Sequence, residues 1–128
     1  MYKKQLHLMA IFVSCLLLLF SNNVRAQRPP EPVNPQKDKM DYQGYTIRLM
    51  PALPTRESIG SYGFDILKNN KPVVHQFQNP LPTARKGIQK KADAYKIAQW
   101  MIKEFEKTGH WQNIVPPHIA NELNIQNN

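Results

Sequence analysis

Three stretches before residue 78 alternate apolar and polar side chains, as strands with one buried face do. They cover Gly44 to Met50, Tyr62 to Lys68 and Pro72 to Phe77. Asn69 and Asn70 separate the last two stretches, and asparagine tolerates the positive φ that a two-residue primed turn requires. The pattern therefore predicts three strands, the second and third forming a hairpin.

An uninterrupted hairpin with this turn places Phe64 opposite His75 and Ile66 opposite Val73. Side chains alternate between the two faces of a strand, so one face is expected to carry the core. The predicted core face consists of Tyr62, Phe64, Ile66, Val73, His75 and Phe77. This register places Asp65 on the opposite face from His75.

Apolar residues recur at steps of three and four between Lys90 and Lys107, which is the spacing of one helix face. They are Ala94, Ile97, Ala98, Met101, Ile102 and Phe105. Gly109 follows as a stop signal, and a short helix is predicted from Ile119 to Ile125. We therefore expect an α+β domain: a small antiparallel sheet of about three strands, packed against one long helix, with a short C-terminal helical segment.

Trp100 lies about 115° from the middle of that apolar stripe, among charged residues. It is a candidate partner-binding residue, since an exposed aromatic ring can anchor a partner. The favoured alternative is that the C-terminal segment folds back and covers it, because Trp111, Ile114 and Leu123 require a surface to bury against.

Residues 1–26 have the organisation of a secretory signal peptide. Lys3 and Lys4 precede an apolar run from Leu8 to Phe20, and Val24 and Ala26 occupy the positions that signal peptidase reads. The run is shorter than the roughly 20 residues that span a bilayer as a helix. We expect cleavage after Ala26, no transmembrane segment afterwards, and a periplasmic or extracellular protein.

Cys15 is the only cysteine, and it lies inside the apolar run. A lipoprotein signal has its cysteine at the end of the run, so lipidation is not expected. Cleavage after Ala26 leaves a mature chain without a disulfide or a thiolate nucleophile.

Residues 27–41 contain four prolines and few apolar side chains, which predicts a disordered, proline-rich tether ahead of a single domain at residues 42–128. The whole chain has a net charge of +8. Without Lys3, Lys4 and Arg25 it keeps 14 basic and 9 acidic residues, a net charge of +5. A basic exported protein meets anionic envelope components before nucleic acid, so nucleic-acid binding is not expected.

The mature sequence contains no motif for nucleophilic catalysis, metal ligation or phosphate binding, and we expect no metal and no cofactor. His75, Asp65 and Gln76 are the weak catalytic candidate, with His75 as a general base and Asp65 orienting it. The predicted register separates these two side chains. It favours instead a histidine at the edge of the core.

Arg85, Lys86, Lys90 and Lys91 flank the start of the long helix, where the helix dipole also attracts negative charge. These four residues are an anion-binding candidate. The alternative is a solvated basic loop, which is the commoner use of such charges.

Several short motifs in this order resemble the small exported bacterial family known as domain of unknown function 4907, typical of Bacteroidota. They are Gly63-Phe64-Asp65-Ile66, Lys71, His75-Gln76, Pro80, Gly87-Ile88, Asp93-Ala94, Ala98 and Pro116-Pro117. The resemblance covers about Ser61 to Leu123. This chain differs from the family pattern in three places. Asn69-Asn70 replaces the usual Asp-Gly turn, and Phe77 stands where a proline is common. Lysines begin the long helix in place of the usual Ser/Thr cap with acidic residues. The resemblance implies a small exported α+β domain and no particular mechanism.

Together these features predict a non-catalytic binding or structural module of the periplasm or cell envelope. Its partner would be an exported protein or an anionic envelope component. One alternative is a small enzyme that uses His75 as general base. Another is an accessory protein that binds a larger exported partner.

The signal peptide gives the first testable prediction. Amino-terminal sequencing of the exported protein should begin at Gln27, because Val24 and Ala26 satisfy the cleavage rule. A lipid-modified product that begins at Cys15 would contradict both the cleavage site and the absence of an anchor.

Overall fold

The computed structural model describes residues 31–53, 60–82 and 86–125, so the predicted signal peptide lies outside the described residues. The described elements are β1 (Lys39–Tyr42), β2 (Tyr45–Pro51), β3 (Tyr62–Lys68), β4 (Lys71–Gln76), α1 (Lys91–Thr108) and α2 (Pro117–Glu122). The strands form one antiparallel sheet in the order β1-β2-β3-β4. Helix α1 packs on β2 and β3. The predicted α+β fold, with a sheet against one long helix, is confirmed.

Strand β1 is an element that the sequence pattern did not reveal. It pairs with β2 through a turn in which Gln43 and Gly44 both have positive φ, 49° and 76°. The sheet therefore has four strands where about three were predicted, and the predicted tether at residues 27–41 is wrong over its last three residues. Four residues that follow a proline-rich segment show too little alternation to predict a strand.

The residues just before β1, here called the N-terminal strap (residues 31–38), are bound to the domain. The Tyr62 hydroxyl donates a hydrogen bond to the carbonyl of Glu31 at 2.7 Å. The Lys91 ammonium reaches the Pro32 carbonyl at 3.1 Å and the two oxygens of Asp38 at 3.1 and 3.0 Å. Val33 packs against the core. The predicted tether is thus an ordered strap over its described part.

The core lies between one face of the sheet and α1. Completely buried sheet residues are Ile47, Leu49, Phe64 and Ile66, and their helix counterparts are Ala94, Ile97, Ala98, Met101 and Ile102. Phe105, the last residue of the predicted stripe, is half-buried and stacks on Trp111 with ring centroids 4.2 Å apart. As predicted, α1 stops at Gly109, which has φ 72° and donates its N–H to the carbonyl of Phe105.

The C-terminal segment closes one side of this core. Helix α2 begins at Pro117, two residues before the predicted start, as suits a proline in the first helical turn. Ala120 and Ile125 are buried, whereas Ile114 is 61% exposed, so the expectation that Ile114 is covered is wrong. No helix within the described residues has the length and apolar character that a membrane span requires.

The strap gives a prediction about acid stability. The backbone N–H of Asn34 and then the Lys91 ammonium hold the pKa of Asp38 below its ordinary value of 3.8. A carboxyl group with a lowered pKa stabilises the folded state above its unfolded pKa, and this contribution is lost as pH falls through the folded value. Asp38→Asn should therefore lower the free energy of unfolding near neutral pH and have progressively less effect below pH 3.8. Urea denaturation of both proteins over this pH range measures the difference; a difference independent of pH would contradict the strap.

Candidate functional site

A register shift in the hairpin brings His75 onto the same face as Asp65. Lys68 pairs with Lys71 and Leu67 with Pro72, but Ile66 then pairs with Val74 and Asp65 with His75. Val73 is thus the extra residue of a β-bulge, and each side chain after it lies on the opposite face from the uninterrupted register. The prediction that Phe64 faces His75 is wrong. Phe64 faces Gln76 instead.

The predicted core face is correspondingly right for β3 and wrong for β4. Tyr62, Phe64 and Ile66 are buried. Val73 is 41% exposed, His75 is exposed, and Phe77 is half-buried. The hairpin turn itself is as predicted, since Asn69 and Asn70 have φ of 51° and 61°. The turn therefore set the initial register, and the bulge changed it.

Asp65 is the centre of a three-residue cluster across three strands, here called the Arg48–Asp65–His75 cluster. Arg48 pairs with Asp65 across β2 and β3, and its Nη2 lies 2.6 Å from Oδ2 of Asp65. The Nδ1 of His75 lies 2.5 Å from the other oxygen, Oδ1. The Asp65 side chain is 4% exposed, against 39% for Arg48 and 57% for His75. The buried carboxylate is therefore partnered at both oxygens, as desolvation requires.

This geometry leaves one ring nitrogen of His75 for interaction with a ligand. Because Nδ1 faces the carboxylate, Nε2 is the nitrogen available on the exposed side of the ring. The ring of Phe77 lies beside it, with centroids 5.2 Å apart and planes inclined at 50°. The imidazole is thus held in position from two sides.

A cleft of about 460 Å³ begins at this histidine. It is lined by His75, Gln76, Phe77, Gln78, Asn79, Asn113 and Ile114. The backbone N–H of Val115 donates to the Pro80 carbonyl at 2.8 Å, which brings the loop at residues 113–114 to the end of β4. The described lining carries four carboxamide groups and neither a carboxylate nor an ammonium group.

Two features support the base of this cleft. The Gln76 side chain is buried and donates its Nε2 hydrogen to the Gln78 carbonyl at 2.9 Å. Gly63 allows β3 and β4 to approach closely here, because a Cβ at that position would lie 2.6 Å from the Gln76 carbonyl oxygen. In the sequence, the signal for this role of Gly63 is a small residue within an otherwise bulky strand.

Of the four basic residues predicted as an anion site at the helix start, the structure describes three. Lys91 binds the strap through Asp38 and Pro32, so it is already engaged. Lys86 and Lys90 are exposed, and Arg85 lies outside the described residues. The anion-binding candidate therefore stays a prediction, with Lys91 already engaged by the strap.

Trp100, the predicted partner-binding candidate, is half-buried and packs against the hydrophobic core. The ring is therefore partly used by the domain itself. Its remaining surface is smaller than that of an exposed anchor.

Sequence reasoning missed Arg48, Asn113 and Ile114. Arg48 alternates with the buried Ile47 and Leu49, which predicts an outward side chain but not its position beside Asp65. That position depends on the pairing of β2 with β3. Asn113 and Ile114 reach the cleft only because the chain returns past β4 after the long helix.

In comparisons with known proteins, no family model, no curated protein and no solved structure matches the chain. The resemblance to domain of unknown function 4907 therefore stays a prediction. Within the described residues, no group of three or more His, Cys, Asp or Glu side chains is placed to hold a metal ion.

The Arg48–Asp65–His75 cluster predicts the tautomer of His75. A carboxylate only accepts hydrogen bonds, so neutral His75 should carry its proton on Nδ1 in long-range ¹H–¹⁵N NMR spectra. In Asp65→Asn, Arg48 takes the amide oxygen and the amide nitrogen donates to Nδ1, so the proton should move to Nε2. The exposed His110 and His118 serve as controls in the same spectra. A parent protein with neutral His75 protonated on Nε2 would contradict the cluster.

Proposed function

We propose that this protein is an exported, non-catalytic binding module whose recognition site is the cleft at His75. The observation that carries the proposal is the exposed imidazole held by buried Asp65 at the start of an amide-lined cleft. A binding site benefits from groups already held in the bound geometry, because less conformational entropy is lost when the ligand arrives.

The composition of the cleft favours a neutral, polar ligand. Gln78 and Asn113 are exposed, and each carboxamide offers a donor and an acceptor to a ligand that carries both types. Gln76 already donates to the Gln78 carbonyl, and the Asn79 side-chain oxygen accepts from the Leu81 N–H. Phe77 and Ile114 supply apolar contact between these groups. The volume lies within the roughly 300–1,000 Å³ typical of ligand sites.

Charge on the described residues supports a partner protein over an anionic envelope component. Arg48 lies beside the cleft, but its positive charge is balanced by Asp65 in an ion pair. Lys91, the cation expected at the helix start, is bound to Asp38. The anion-binding hypothesis thus loses one of its four residues to the strap.

The second candidate function is a small enzyme with His75 as general base. The Asp65–His75 contact of 2.5 Å favours it, since a carboxylate at Nδ1 orients the imidazole in many hydrolytic sites. Two observations weigh against it. Arg48 holds the other carboxylate oxygen, and the described lining of the cleft contains no serine, threonine or cysteine nucleophile.

The binding proposal can be tested with two unbiased probe sets, random-sequence displayed peptides and an array of glycans. The exported protein should bind members of one set, and Asn113→Ala should weaken that binding about tenfold, because a ligand group then loses its partner. Gln112→Ala is the matched control, since Gln112 is an exposed neighbour outside the cleft lining.

Three outcomes would overturn the proposal. They are no binding to either set, binding that Asn113→Ala leaves intact, and hydrolysis of a bound probe that is lost in His75→Ala. The last result would establish the enzyme in place of the binding module.

A further inference from the structure

Resting on the proposed binding function, we infer that the ligand of the cleft is an extended peptide segment of a partner protein, which adds as a strand to the outer edge of β4. Three observations carry this inference: the position of the cleft, the distribution of edge-protecting features along β4, and the location of the exposed apolar side chains.

The cleft runs along the edge of β4. His75 and Gln76 are consecutive residues of that strand, so their side chains point to opposite faces of the sheet. A cleft that both residues line therefore follows the strand edge and does not cover a single face. Among the described strands, β4 is last in the sheet order and pairs only with β3. The outward backbone groups of such an edge strand can pair with an added strand.

Features that hinder strand addition are confined to the other end of β4. Lys71 is an exposed charge, Pro72 lacks an N–H, and Val73 forms the bulge. Charge, proline and bulges are the usual means by which proteins block pairing at sheet edges. From Val74 to Gln76 the strand has none of these. The unprotected part of the edge is thus the part beside the cleft.

The described residues have three strongly exposed large apolar side chains, and one of them lines the cleft. They are Leu53, Val73 and Ile114, which are 57%, 41% and 61% exposed. Val73 belongs to β4, Ile114 lines the cleft, and the Leu53 N–H contacts the Phe77 carbonyl at 3.4 Å. An added strand beside residues 74–76 would bring side chains onto Ile114 and cover it, whereas Val73 lies at the bulged end of β4.

A peptide fits these groups better than a saccharide does. The outward N–H and C=O groups of a strand repeat at the spacing of another extended backbone, so their natural complement is a second strand. Carboxamides next to the edge can pair with peptide groups that lie beyond the reach of β4. Exposed apolar side chains add affinity for a partner with apolar residues at alternate positions.

The test uses a random-sequence peptide selected by binding to the exported protein. Two analogues of that peptide are compared, each N-methylated at alternate residues, one at odd positions and the other at even positions. Alternate N–H groups of an added strand face the sheet, so one analogue should lose at least about tenfold in affinity and the other should bind like the parent. Hydrogen exchange should slow in those backbone amides of β4 residues 74–76 that face away from β3, and not in the amides of β1, the opposite edge.

The remaining outcomes show which of the two proposals fails. Selection of glycans and no peptide would overturn strand addition and leave the binding function standing. Equal affinity of both analogues, or protection of β1 in place of β4, would overturn strand addition while a peptide ligand remained. Failure of both probe sets would overturn the two proposals together.

Discussion

One inserted residue in β4 decides which side chains of the hairpin share a face of the sheet. The hairpin begins in the register that its Asn69-Asn70 turn dictates, and Val73 then shifts the pairing by one position. Pro72 precedes the bulge and offers no backbone donor, which suits the place where the ladder is interrupted. Beyond it, the His75 imidazole lies beside the Asp65 carboxylate, and the Gln76 side chain turns into the protein. Without the shift, the His75 imidazole and the Asp65 carboxylate would lie on opposite faces of the sheet.

The same bulge makes a buried carboxylate tolerable. Asp65 lies on the central part of the sheet with 4% of its side chain exposed, where an unpartnered charge would be costly. Arg48 and His75 each take one oxygen from neighbouring strands. Three strands are thereby joined at one residue, and the imidazole is oriented by a group that cannot easily move.

The two edge strands of the sheet, β1 and β4, are protected against pairing with another chain in different ways. Strand β1 has only four residues and is preceded by the strap, which Lys91 and Tyr62 bind to the domain. Short edge strands offer little to an intruding chain. Strand β4 is protected near the turn by Lys71, Pro72 and the bulge, but not beside the cleft. Besides His75, the residues that line the cleft at this edge carry neutral amide, phenyl and aliphatic side chains.

Much of the framework was predictable because it depends on short stretches of chain. Alternation predicted β2, β3 and β4 to within a residue or so, and three- and four-residue steps predicted α1 and most of its buried stripe. The candidate set of His75, Asp65 and Gln76 also came from the sequence, since all three belong to one hairpin. These patterns depend on neighbouring residues only, so they can be read without knowledge of the tertiary structure.

Contacts between distant residues were decided by the tertiary structure alone. The Lys91–Asp38 pair joins residues 53 positions apart, and Arg48 meets Asp65 only through the pairing of β2 with β3. The bulge at Val73 was equally unpredictable from the sequence. A bulge is defined by how one strand pairs with its neighbour, and the residues of β4 alone do not show which of them is left unpaired. Residue types and spacing thus determined which side chains were available near the hairpin. Strand pairing determined which of them share a face, since a shift of one residue exchanges the two faces of a strand.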